Sequence, residues 1–218
     1  TEDDGSENKD ELARSLQRYL TENKQVRDLA RVPIMAVILC SVWRHSQGKL
    51  GTSLTDIFLQ LKSDLMVKAE KRRPEDKDVL EKAFLYLGCI AWRGLQKCPV
   101  QLEFTEADFI RMASDEKDRA RQASVHIGFL NKDEAQGQTG RTHTVYSFLH
   151  LTLHEFAAAS YLVSEDKLRN ERGKFSKIVQ GPRVRVFDPH PRFDMVWVFS
   201  CGLLKDRSRD LLEQIVHH

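Results

Sequence analysis

The segment from Val145 to Leu162 changes its hydrophobic period partway along its length. Its first residues alternate as in a half-buried strand, and the later apolar residues recur at the spacing of a helix. The change falls at Ser147, a residue type that often caps the first turn of a helix. The sequence therefore predicts a strand that leads into a helix, with Ser147 as the cap and His150 in the first helical turn.

The predicted place of His150 is unusual for a histidine. The first turn of a helix carries unpaired N–H groups and a partial positive charge, so it favours anions and disfavours a cation. A histidine there is explained if an anion such as a phosphate lies in front of it. The commoner alternative is a neutral histidine packed in a core. The residues alone leave both interpretations of His150 open.

Length and charge limit the class of protein. The chain has 218 residues and a net charge of +2, with ordinary apolar content for a soluble globular protein. The charge is too small to imply a polyanionic partner. The longest apolar run, Pro33 to Trp43, is too short for a membrane span. Because the chain begins with Thr1, we interpret it as a piece of a longer protein.

The cysteines give no sign of a metal site or a disulfide framework. They are scattered, and none forms the paired spacing of a zinc site. We therefore predict reduced, buried thiols in a cytosolic protein. The four residues are Cys40, Cys89, Cys98 and Cys201.

The first part of the chain is predicted to be helical. Apolar residues from Leu12 to Leu20 mark one face of an amphipathic helix after a frayed start, Thr1 to Asp10. Pro33 opens a helix that is apolar nearly all round, so we expect it to be buried on all sides. Ser53 and Asp56 have the spacing of a capping box at the start of another helix. The charged stretch from Lys68 to Asp78 is the predicted domain boundary.

The order of elements beyond this boundary is that of a winged helix. The pattern predicts a long helix, a short strand, two helices and a two-stranded wing, followed by a polar connection and further helices. The fold class is therefore mainly α: a helical domain followed by a winged-helix domain with a small β-hairpin wing and a further helical segment. The elements are placed at Val79–Leu95, Val100–Phe104, Thr105–Met112, Asp115–His126, Gly128–Leu130, a turn at Lys132–Gly140, Thr142–Phe148, a connection at Glu165–Arg192, and helices at Met195–Leu204 and Ser208–Val216.

Seven segments, taken in order, resemble the C-terminal half of the NACHT module of NOD-like receptors, the cytosolic innate immune sensors. The resemblance implies a first helical domain at residues 1–67, a winged-helix domain at 68–164 and the start of a second helical domain at 165–218. The segments are Val32–Cys40, Thr52–Phe58, Leu85–Leu95, Phe104–Phe109, Gly128–Leu130, Ser147–Leu162 and Trp197–Leu204.

The resemblance also implies a ligand and partners. Pro33 would pack against the adenine of ADP, and His150 would reach its β-phosphate and help to hold the receptor closed. The ADP or ATP would be shared with an upstream nucleotide-binding domain of the same protein, and a repeat domain would follow downstream. Nucleotide exchange would allow homo-oligomers to form and signal. The implied location is cytoplasmic, with no nucleic-acid partner and no membrane span.

Two departures from the family pattern bear on the site. His154 stands where the family more often has glutamine, and Ala157-Ala158 replaces a Leu-Ala pair. His150 and His154 are four residues apart, which raises the question of a metal site. Because no third ligand is evident and the glutamate does not lie between the histidines, we predict none.

The chain lacks the motifs of a nucleotide hydrolase. It contains no phosphate loop and no strand ending in paired acids that would hold magnesium, so we expect no enzymatic activity from it. The alternative function is a winged-helix DNA-binding protein, with Asp115–His126 as recognition helix and Lys132–Arg141 as wing. Asp115, Glu116 and Asp118 crowd the end of that helix that would approach phosphates, which argues against this alternative.

Overall fold

The computed structural model describes residues 4–51, 53–72, 77–110, 122–136, 142–164, 193–205 and 208. The chain divides into two compact units, Thr1–Val67 and Lys68–His218. The division falls within a helix, so it is a change of packing rather than a break in secondary structure. None of the described helices combines the length and apolar content needed to cross a membrane.

The first unit is built from helices around a small core. Val26, Leu39 and Ile57 are buried at its centre, with Tyr19 and Leu20 packed against them. The predicted amphipathic face of the first helix is confirmed, although that helix begins at Asp4 rather than after a frayed start. The helices are α1 (Asp4–Glu22), α2 (Lys24–Leu29), α3 (Pro33–His45) and α4 (Leu54–Arg72), of which the last extends past the boundary.

Two aromatic residues connect α1 with the rest of this unit. The indole Nε1 of Trp43 donates to the carbonyl of Leu12 at 3.0 Å, and the Tyr19 hydroxyl donates to the carbonyl of Gly51 at 3.0 Å. The rings of Tyr19 and Trp43 also contact each other, with centroids 5.1 Å apart. Each polar tip therefore has a partner while the ring fills the core.

The predicted capping box at the start of α4 is confirmed. The Asp56 N–H donates to Ser53 Oγ at 3.1 Å, and the Ser53 N–H donates to Asp56 Oδ2 at 3.2 Å. These reciprocal bonds satisfy two N–H groups that the helix itself leaves without partners.

The prediction for α3 was wrong in one respect. The helix begins at Pro33 as expected, but it is buried along one face only. Val37 is 64% exposed, and Pro33 and Cys40 are also exposed. An apolar helix is buried only where neighbours cover it, and within this unit they cover one side. The buried face consists of Met35, Ile38, Leu39, Val42 and Trp43.

The cysteine prediction was also wrong in part. All four thiols are free, but Cys40 and Cys98 are exposed and only Cys89 and Cys201 are partly covered. Apolar neighbours in the sequence indicate burial only when the cysteine lies on the covered face of its element.

The second unit contains a three-stranded antiparallel sheet and several helices. The strands lie in the order β1-β3-β2, so β3 is central. Phe104 of β1 and Lys132 of β2 both lie opposite Tyr146 of β3. The predicted fold class, a helical domain followed by a winged helix with a hairpin wing, is confirmed. The elements are α5 (Lys77–Leu95), β1 (Glu103–Thr105), α6 (Glu106–Ile110), β2 (Leu130–Gln136), β3 (Thr142–Phe148), α7 (Leu151–Val163) and α8 (Asp194–Leu204).

The wing is more extended than predicted. Lys132–Gln136 were expected to lie in the turn, but they pair with Thr142–Tyr146 as strand residues. Backbone pairing stabilises this polar edge strand. Because its side chains are exposed and polar, no alternating hydrophobic pattern marks it as a strand in the sequence. Residues 137–141 lie outside the described residues.

Several other predictions fall partly or wholly outside the described residues. These are most of the helix at Asp115–His126, the connection at Glu165–Arg192 and all but one residue of the helix at Ser208–Val216. The division into three domains also stays a prediction.

Helix α7 lies at the centre of the second unit, between α5 and α8. Phe156 of α7 contacts Phe84 of α5 at 6.0 Å and Phe199 of α8 at 5.3 Å between ring centroids. At Gly88 of α5 a Cβ would lie 2.3 Å from the carbonyl oxygen of Ala157. The two helices thus approach more closely at this glycine than any side chain allows.

Candidate functional site

The junction between β3 and α7 lies farther along the chain than predicted. Ser147 is a strand residue, paired with Glu103 on one side and Asn131 on the other. The expectation that Ser147 caps the helix was therefore wrong. Pairing on both sides keeps a central strand extended beyond the point where its own hydrophobic pattern changes.

His150 is the N-cap of α7 instead of a residue in its first turn. Its backbone is extended, and its carbonyl accepts hydrogen bonds from the N–H groups of Leu153 at 3.0 Å and His154 at 3.2 Å. Its Nδ1 accepts the Thr152 N–H at 3.2 Å. A neutral imidazole that offers a lone pair to a helix N–H is compatible with the positive end of the helix. The electrostatic conflict inferred from the sequence is therefore absent.

The imidazole of His150 also contacts the Thr152 side chain. Oγ1 of Thr152 lies 3.0 Å from Nδ1, and Thr152 is buried while His150 is half-buried. Within the described part of the chain, Nε2 of His150 makes no hydrogen bond. The contacts that hold the ring within the described residues are thus made through Nδ1.

His154 is a core residue. It is 1% exposed, and its Nε2 donates to the carbonyl of Ala91 in α5 at 2.8 Å. Its ring stacks on Phe148, with centroids 4.5 Å apart, and meets the edge of Phe104. Burial lowers the pKa of His154 from 6.5 to about 4, against the opposing effect of the bond to Ala91. His154 is therefore neutral at physiological pH.

Glu155 is also buried, at 5% exposure. Burial raises its pKa from 4.5 to about 7, and the negative charge of Asp194 at the start of α8 contributes in the same direction. A carboxyl group with this pKa is partly protonated at neutral pH.

The described residues contain no group of three or more histidine, cysteine, aspartate or glutamate side chains that could hold a metal ion. His154 uses Nε2 for the bond to Ala91, and its Nδ1 is enclosed without a partner. His150 and His154 therefore have separate roles, although they are four residues apart.

Pro33 lies in the first unit, at the first position of α3. Val32 precedes it in an extended conformation, as the residue before a proline usually is. Together with Val37 and Cys40 it forms an exposed row at helical spacing, here called the α3 stripe. The stripe gives one helix face an apolar surface that its own unit does not cover.

Sequence reasoning missed Thr152 and the α3 stripe. The contact of Thr152 with His150 can be recognised only once the start of the helix is known, because it depends on the N-cap geometry. The stripe was readable from the spacing of Pro33, Val37 and Cys40. Because the opposite face of α3 is also apolar, the pattern does not show which face is covered.

Proteins similar to this chain include two curated relatives. NLR family CARD domain-containing protein 4 of Rattus norvegicus is 24% identical over 209 residues, which cover 94% of this chain and 19% of that protein. Nucleotide-binding oligomerization domain-containing protein 1 of Homo sapiens is 24% identical over 240 residues, which cover 90% of this chain and 24% of that protein. The chain thus spans about a fifth to a quarter of the length of these relatives. No protein-family model matches it. The two similarities support a relationship with the NOD-like receptors.

Proposed function

We propose that this chain is the regulatory part of a nucleotide-gated receptor of the NOD-like type, acting in the cytoplasm in innate immune signalling. ADP is shared with a nucleotide-binding domain earlier in the same protein, and a repeat domain follows. The observation that carries this proposal is the similarity over 94% and 90% of the chain to an NLR family protein and to a nucleotide-binding oligomerization domain-containing protein. The human relative is named for a nucleotide-binding oligomerization domain.

In this proposal His150 contacts the β-phosphate of ADP. The half-buried ring is fixed through Nδ1, which leaves Nε2 as the nitrogen that reaches a ligand. A neutral N–H donor at the start of a helix suits a phosphate oxygen, because the helix N-terminus also favours negative charge. Both features support an anion in front of α7.

Pro33 is proposed to pack against the adenine. Its ring is exposed at the start of α3 and has no N–H that would be left without a partner. Val37 and Cys40 extend the apolar surface beside it, as a contact with a flat base and with the domain that holds it would require.

The switch follows from different contacts in two nucleotide states. With ADP bound, the contact to His150 holds the winged helix in an autoinhibited arrangement. In ATP the β-phosphate carries a further phosphoryl group, so exchange for ATP disrupts that contact and allows homo-oligomers to form. A ligand shifts such an equilibrium only by its difference in affinity for the two states, and the phosphate contact supplies that difference.

The test compares substitutions of His150 in the full-length receptor. His150→Leu removes both the helix cap and the phosphate donor, whereas His150→Ser keeps a good N-cap and removes only the donor. We expect both variants to release ADP roughly 10-fold faster or more, because a hydrogen bond to a charged group is lost. Basal oligomerisation should rise in parallel.

His143→Ser is the matched control, since His143 is an exposed histidine on β3. It should behave like the unaltered receptor. If His150→Ser retains ADP and stays monomeric as well as that control does, the proposed contact between His150 and the β-phosphate is wrong.

A further inference from the structure

Thr152 makes two contacts with one atom of His150. Its backbone N lies 3.2 Å from Nδ1, and its Oγ1 lies 3.0 Å from the same nitrogen. A backbone N–H can only donate, so Nδ1 must present its lone pair and carry no proton. The capping geometry therefore selects a protonation state of the ring.

A neutral imidazole carries one N–H, so a ring without a proton on Nδ1 carries it on Nε2. The hydroxyl of Thr152 must then donate to Nδ1 as well, because that nitrogen has no hydrogen to give. Thr152 is buried at 9% exposure, so its hydroxyl is largely withdrawn from competing water. Two donors from one buried residue hold the ring.

We propose that Thr152 is a positioning residue for His150, which selects the Nε2–H tautomer and fixes the direction of that N–H. The ring then presents a single neutral donor away from the helix. A phosphate oxygen accepts such a hydrogen, whereas a metal ion would require a lone pair at Nε2. The part of this inference that concerns phosphate rests on the proposed function, and the tautomer does not depend on it.

The first experiment measures the tautomer in the full 218-residue chain. The chain is labelled with ¹⁵N-histidine and studied by long-range ¹H–¹⁵N correlation, at a pH above the ordinary titration range of histidine. His150→Ser identifies the His150 signals by their loss. We expect the proton on Nε2 in the unaltered chain. A proton on Nδ1 would overturn the inference without any variant of Thr152.

The second experiment removes the hydroxyl. Thr152→Val keeps the backbone N–H that selects the tautomer but loses the second donor, so its ring signals should shift or broaden while Nε2 remains protonated. Thr152→Ser should retain the original spectrum. In the full-length receptor loaded with ADP, Thr152→Val should release ADP about 2- to 10-fold faster, as expected for one lost hydrogen bond. Thr152→Ser should release it at the unaltered rate. If Thr152→Val does not fold, Thr152→Ala takes its place, because it also removes the hydroxyl and adds no volume to the buried site.

The outcomes separate this inference from the proposed function. Suppose that His150→Ser accelerates ADP release while Thr152→Val leaves both the ring spectrum and the rate of ADP release unchanged. The positioning role of Thr152 is then wrong, and the proposed contact between His150 and ADP is supported. If His150→Ser does not change the rate of ADP release, the proposed contact between His150 and ADP is wrong. The tautomer measurement then decides the role of Thr152 by itself.

Discussion

The imidazole of His154 lies flat against the ring of Phe148, with centroids 4.5 Å apart and planes within 3° of parallel. The same imidazole donates a hydrogen bond to α5 through Nε2. His154 thus joins the end of the central strand to two helices while remaining neutral. The next residue, Glu155, is also buried but has its pKa shifted in the opposite direction, and this contrast gives a pH test of the core.

His154 should make the chain less stable in acid. Its pKa is about 4 in the folded state and 6.5 when exposed, so the unfolded chain binds more protons between these values. Its contribution is fully present above pH 6.5 and is lost as the pH falls toward 4. His154→Gln keeps a donor for Ala91 and removes this titration. In urea unfolding experiments, the free energy of unfolding should fall less between pH 6.5 and 4 in the variant than in the unaltered chain.

Glu155 should have the opposite effect on stability. Its pKa is about 7 in the folded state and 4.5 when exposed, so here the folded chain binds more protons. Burial of the carboxylate therefore destabilises the fold increasingly as the pH rises from 4.5 to 7. Glu155→Gln should remove that loss.

The two effects oppose each other where their ranges overlap, between about pH 4.5 and 6.5. We compare the free energy of unfolding of each variant with that of the unaltered chain at the same pH. The difference, variant minus unaltered chain, should decrease with rising pH for His154→Gln and increase for Glu155→Gln. Parallel pH profiles for the two variants would contradict this account. As a further control, Asp194→Asn should lower the pKa of Glu155, whereas Asp133→Asn on the exposed edge strand should not.

Gly88→Ala should destabilise the second unit. The added Cβ would lie 2.3 Å from the Ala157 carbonyl oxygen and 2.8 Å from Cβ of Tyr161, so the helices must separate. Overpacking of this kind costs about 1–3 kcal/mol, which outweighs the higher helix propensity of alanine. Thermal unfolding measures the loss. Lys82→Ala at an exposed site on the same helix should change stability by less than about 0.5 kcal/mol, and equal effects at both sites would refute the prediction.

Val37→Ser tests the α3 stripe. Because Val37 is 64% exposed, the substitution should change the stability of the chain by less than about 0.5 kcal/mol. In the full-length receptor it should accelerate ADP release, since the stripe is proposed to contact the nucleotide and its domain. Val67→Ser, at another exposed valine, is the control. Identical ADP release from the two variants would exclude a special role for the stripe.

Much of the fold could be predicted from the sequence because local signals were strong. Pro33 marked the start of α3, the spacing of Ser53 and Asp56 marked the start of α4, and the apolar period marked α5 and α7. The predictions failed where tertiary contacts override local pattern. Strand pairing on both sides keeps Ser147 extended, and the polar strand at the sheet edge has a sequence typical of a turn.

The candidate site was predictable only in part. The sequence indicates His150 as a candidate because it lies near the start of a helix. In the structure that helix begins a few residues later than predicted, so His150 is the N-cap and not a residue of the first turn. That change depends on sheet pairing elsewhere in the chain, so no local pattern could reveal it. The contact with Thr152 follows from it and was hidden for the same reason.

The close approach at Gly88 has a mechanical consequence. Where helices are separated by long side chains, small displacements are absorbed when those side chains change rotamer. At Gly88 the backbone of α5 faces the Ala157 carbonyl directly, so no rotamer change can absorb a displacement there. A displacement of α7 toward α5 at this point therefore meets the backbone of α5 at once, and the two helices can yield there only by moving together.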